Sequence, residues 1–156
     1  MKPLKKILLV LALVLYGCGL HTHEYPSSVQ EIRTGIDEDA RTITLDEETF
    51  FNTLVVVLAF PDRYEGYEVT AFGMVDRIRY LGDDGFFLGR TIVTCTLEDA
   101  EFMGLVCLCG NADEYAFGDW VSVKGTFHLT ENNVSELVDT VIERKDPPEE
   151  IYIYTE

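Results

Sequence analysis

Positive charge is scarce in this chain. Twelve lysines and arginines face 28 aspartates and glutamates, for a formal net charge of −16. Such an excess repels phosphate backbones and anionic headgroups, so nucleic acid is not expected as a partner. Cations, or a basic protein face, match it better. Histidine is scarcer still, at three residues. G-x-S-x-G, H-E-x-x-H and the phosphate loop are all missing, and no nucleophile–base–orienter set stands out. A binding or accessory role is therefore expected rather than catalysis, with an uncatalogued enzyme as the last alternative. C-x-x-C is also missing, which removes thioredoxin-like chemistry. No internal repeat or low-complexity tract interrupts the chain.

What is present starts at the N-terminus. "MKPLKK" is a charged leader, and "ILLVLALVLY" is an apolar run of signal-peptide length, too short to span a bilayer comfortably. It ends in "LYGC", which resembles the lipobox of bacterial lipoproteins. The expectation is a signal peptide over residues 1–17, cleavage before Cys18 and acylation of Cys18. The protein would then be exported and lipid-anchored on the extracytoplasmic side of the membrane. A lipidated tether over 18–31 carries "HTHE" (His21, His23, Glu24) and Pro-Ser-Ser, and reads as a polar spacer. Without the leader lysines the net charge is about −19. Residues 32–156 are long enough for one domain with a real core.

"TLDEETFFNTLVVVLAFP" predicts a helix from Asp46 to Phe60, with Thr44 and Glu47 as a capping box and Pro61 as its stop. Phe50, Phe51, Leu54, Val55 and Leu58 would form its buried face. The periodicity then turns strand-like. "YEVTAFGMVDRIRY" places Val69, Ala71, Gly73 and Val75 on one side, and Gly73 sits where a long strand would bend. "LGDDG" turns into "FFLGRTIVTCTL"; the strand "LVCLCG" follows a short acidic segment, "EDAEFMG". "WVSVKGTFHL", with Val121, Val123 and Phe127 inward, and "VSELVDTVIER" complete the set, and "DPPEEIYIYTE" is a Pro-broken tail. One N-terminal helix and five strands predict a mainly β fold, a five-stranded OB-like Greek-key barrel with the helix packed on it. Trp120 would fill a barrel end. The acid clusters Asp37–Asp39 and Asp83–Asp84 read as solvated turns.

Three cysteines, Cys95, Cys107 and Cys109, fall within 15 residues. Strand alternation puts Cys107 and Cys109 on one face with Leu105, too far apart along an extended strand to bond each other. Burial as core thiols is favoured. A disulfide from Cys95 to Cys107 or Cys109, and a zinc site completed by Asp99, Glu98 or His128, stay open. Arg90 lies in an apolar strand where its charge needs a partner, and Asp99 at the strand's end is the expected one, as a structural clamp or a partner-facing ion pair.

The run "YEGYEVTAFGMV … GFFLGRTIVTCTLEDAEFMGL … DWVSVKGTF … YIY" resembles the C-terminal extracytoplasmic domain of the YcgQ-type family, over about Ile43 to Tyr154. Its most specific stretch is matched by Arg90, Cys95, Asp99, Ala100, Gly104 and Leu105, and a later one by Trp120, Val121, Val123 and Gly125. Thr96 stands where the family has a second cysteine, and Glu98 where it has alanine. A lipid anchor is expected here in place of the transmembrane part found upstream in many members. The resemblance implies an OB-like module working beside a multi-span permease of the YraQ/YcgR kind, in metal (zinc) homeostasis. The alternative is a lipoprotein that buffers or delivers zinc through Cys95, Cys107, Cys109 and Asp99 directly.

Overall fold

Alternation of apolar and polar residues builds the barrel. The structure, a computed structural model, describes residues 32–77 and 81–155. Cys18, the tether and its His21, His23 and Glu24 lie outside the described residues. In chain order the elements are β1 (Ile36–Asp37), β2 (Thr42–Leu45), α1 (Phe50–Ala59), β3 (Glu68–Asp76), β4 (Gly85–Val93), β5 (Glu101–Leu108), β6 (Trp120–Leu129), β7 (Ser135–Lys145) and β8 (Tyr152–Tyr154). Val69, Ala71 and Val75 of β3 and Val121, Val123 and Phe127 of β6 are all buried, as a period of two requires.

Five strands close on themselves in the order β3–β6–β7–β5–β4 and back to β3. Every junction is antiparallel except β5 with β7, which is parallel. This is the five-stranded Greek-key barrel of the OB type. A bulge where Lys124 pairs Val141 and Thr126 pairs Val138 helps β6 and β7 curve. Asp139 takes up the extra length with φ 53°.

The closing seam is short. β3 and β4 pair only at Met74–Gly89, Val75–Leu88 and Asp76–Phe87. Gly73 lies beside the Met74–Gly89 pair, and a Cβ there would stand 2.6 Å from the Gly89 carbonyl oxygen. Its place is thus set by close approach of two backbones. Beyond this point the strands splay. The free edge of β3 is taken by β2, parallel over Thr42–Leu45, and that of β4 by β8, parallel over Tyr152–Tyr154.

Neither β2 nor β8 follows from the strand reading of the sequence, and β2 moves the helix. Pairing with β3 keeps the chain extended through Leu45, so the expected capping box at Thr44 and Glu47 does not form. The Thr44 amide instead donates to the Gly35 carbonyl at 2.7 Å. Asp46 Oδ1 then accepts from the Thr49 amide at 2.9 Å and from its hydroxyl at 2.8 Å, and α1 begins one turn late at Phe50. Its buried residues are Phe50, Thr53, Leu54 and Val57. Thr53 is tolerated in the core because its Oγ1 accepts from the Gly35 amide at 2.8 Å. Val55 and Leu58, expected to be buried, are 41% and 40% exposed.

β5 also begins earlier than expected, because Glu101–Gly104 pair with Gly89–Ile92 despite their acidic start. Among the described residues no helix is long and apolar enough to cross a membrane.

Candidate functional site

Arg90 follows Gly89, the last β4 residue paired with β3, so its side chain enters the fold where the seam opens. It is 1% exposed. The expected ion pair with Asp99 is not formed. Arg90 Cζ instead lies 5.0 Å from the Trp120 ring centroid and 5.8 Å from that of Phe72, and the two rings are 5.4 Å apart. One guanidinium nitrogen donates to the Glu150 carbonyl at 3.0 Å, just ahead of β8. Nε has no partner. Burial lowers the Arg90 pKa from its ordinary value, opposed by the charges of Glu47 and Glu150. Aromatic faces and a carbonyl thus take the place of a carboxylate. Trp120, expected to fill a barrel end, lies half-buried at the start of β6 with its ring over this arginine. Arg90 is legible as an anomaly in an apolar strand, but its ring partners come from other strands and its carbonyl from 60 residues away.

The cysteines are separated by the β4–β5 hairpin. Cys107 pairs with Phe86 at the start of β4, whereas Cys95 lies past Val93 at the far end, exposed to solvent. At about 3.3 Å per residue that puts the two roughly 25 Å apart. A disulfide between Cys95 and either other cysteine, or one metal ion held by all three with Asp99, is therefore ruled out by the fold. Among the described residues no three His, Cys, Asp or Glu side chains converge as metal ligands.

Cys107 and Cys109 do meet each other. Cys107 is fully buried and its thiol donates to the Cys109 sulfur; this hydrogen bond, together with burial, raises the Cys107 pKa strongly. The same bond, helped by the Asn111 amide and the charge of Arg77, lowers Cys109 to about 7 against the pull of partial burial. Arg77 is held there by the Ala112 and Gly82 carbonyls. Cys109 is thus half-buried and the more readily ionised of the two thiols, beside a closed Cys107.

Asp99 is exposed and accepts from the Thr96 hydroxyl at 2.9 Å, within the short 3₁₀ turn Leu97–Asp99. This turn forms one wall of a groove of about 590 Å³, open to solvent. Phe51 and Val55 of α1 form its floor with Ile92 of β4 and Met103 of β5; Glu98, Asp99 and Glu101 form its rim. On the outer face of β6, His128 Nδ1 lies 3.0 Å from Glu65 Oε1, and Glu65 Oε2 accepts from the Leu129 amide at 2.7 Å. The hydrogen bond to Glu65 raises the His128 pKa, and the bond from His128 lowers that of Glu65. His128 is thus engaged on a different surface from the cysteines.

Barrel order, parallel β5–β7 junction and seam together define an OB-type β-barrel domain. The model of one family, the DUF1980 C-terminal domain, matches residues 20–155, and the chain belongs to that family. No curated protein and no solved structure matches the chain.

Proposed function

We propose that this protein is an exported lipoprotein, acylated at Cys18, whose OB-type domain serves as the accessory or binding subunit of a multi-span permease in metal homeostasis. The observation that carries this reading is the lysine-rich leader, apolar run and "LYGC" at the N-terminus. Membership of the DUF1980 C-terminal domain family agrees with a module of this type. The acidic excess suits it to present a charged surface to a cation or to a basic partner face. The role proposed is not enzymatic, and nucleic acid is not among the partners.

Direct zinc carriage by Cys95, Cys107, Cys109 and Asp99 as one site is set aside, because the fold separates the first from the other two cysteines. Mass spectrometry of the native polypeptide tests the anchor. An N-terminal acylated Cys18 is expected, and an unmodified chain starting at Met1 would overturn the reading. Affinity isolation from membranes tests the partner, with co-isolation of a multi-span permease as the expected result.

A further inference from the structure

The groove beside α1 combines an apolar floor with an acidic rim. Single exposed apolar side chains are ordinary. Here, however, Phe51, Val55, Ile92 and Met103 make one continuous floor, and Leu97 at the adjoining turn is 60% exposed. The rim carries three exposed carboxylates, Glu98, Asp99 and Glu101. None of them belongs to an ion pair among the described residues, whereas Glu38, Glu65, Glu68, Asp83, Asp119 and Glu143 all do. Among the described residues no lysine or arginine lines the groove.

An occupant of this groove must offer an apolar body and positive charge together. An anionic membrane surface or an acidic peptide would be repelled by the rim, and a bare metal ion gains nothing from the apolar floor. The geometry points to docking of a basic, apolar protein segment, with Leu, Ile or Phe side chains on the floor and flanking Lys or Arg on the rim. The identity of its owner rests on the accessory-subunit reading; the chemistry of the segment does not. The rim charges act within a Debye length of an incoming cation and set the encounter rate, while the floor sets the lifetime of the complex.

The test is binding of a synthetic peptide, KLLKKLLKKLLK, to the full chain in neutral detergent, followed by calorimetry and by the 13C-methyl signal of Met103. Saturable binding that moves the Met103 methyl is expected. E98Q/D99N/E101Q should weaken it tenfold or more, and V55E, at an exposed position that tolerates a charge, should do the same. D113N/E131Q/D146N removes the same charge from exposed residues elsewhere and should change affinity less than threefold. The proposal is overturned by equal losses in the two triple variants, by binding that leaves Met103 unmoved, or by no binding. Permease co-isolation without groove binding would sink this inference alone, and groove binding without co-isolation would sink the accessory reading alone.

Discussion

Arg90 and Trp120 are stacked with 5.0 Å between guanidinium carbon and ring centroid, at the point where β3 and β4 part. The arginine fills the opening with its stem and meets aromatic faces with its charge, which contribute about 1 kcal/mol in such geometry. Arg90→Ala should therefore cost about 2–4 kcal/mol, mostly through lost packing. Arg90→Met keeps the volume and removes a charge with no carboxylate partner, so its cost should be about 1 kcal/mol or less. Urea unfolding followed by the single tryptophan reads both. Equal losses in the two variants would show that the charge, not the packing, matters.

Cys109 should react first among Cys107 and Cys109. Its alkylation by iodoacetamide should rise with a midpoint near pH 7, set mainly by the hydrogen bond from Cys107. Cys107 should be modified only after unfolding, being fully buried. Cys107→Ala removes the donor and should move the Cys109 midpoint upward, towards the ordinary thiol value of about 8.5. Peptide mapping separates these sites from Cys18 and Cys95. A wild-type midpoint above 8.5 would refute the pairing.

Glu65 and His128 should titrate as partners. The His128 pKa is raised, so its contribution is complete below the unfolded-state value and disappears as pH climbs through the folded one. The Glu65 pKa is lowered, so its contribution is present above the unfolded-state value and disappears as pH falls through the folded one. The contact is therefore complete only at mildly acidic pH, between the two. In Glu65→Gln the His128 ring signals, followed by NMR, should titrate at lower pH than in the parent; an unchanged midpoint would contradict the contact.

Gly73→Ala should destabilise the barrel by about 2 kcal/mol or more, since overpacking against backbone has little room to relax. The added Cβ would stand 2.6 Å from the Gly89 carbonyl oxygen. Gly110→Ala meets nothing within 4 Å and serves as the neutral comparison. Thermal denaturation of the two variants decides the matter, with a clear drop in Tm for the first alone.

β3 and β6 were legible because they alternate over nine and ten residues, around Val69 and Val75 in the one and Val121 and Phe127 in the other. β2 and β8 were not. Four residues beside an acidic turn and three after Pro147 and Pro148 carry too little periodicity, and only the open edges of β3 and β4 give them a role. That missing strand also explains why the helix start and its buried face were misplaced. In the site, alternation correctly put Cys107 inside with Leu105, but burial was expected for Cys95 as well, because the pattern could not show that β4 stops at Val93. Arg90 drew attention by its type; its partners belong to strands that only the closed barrel brings near.

The splayed seam sets the smallest piece of this chain that can behave well. A polypeptide trimmed to the five barrel strands would leave two rows of backbone donors and acceptors bare, on β3 and on β4, ready to recruit a strand from another molecule. Both flanking segments are then safeguards against self-association, and a version lacking either one should precipitate before it visibly unfolds.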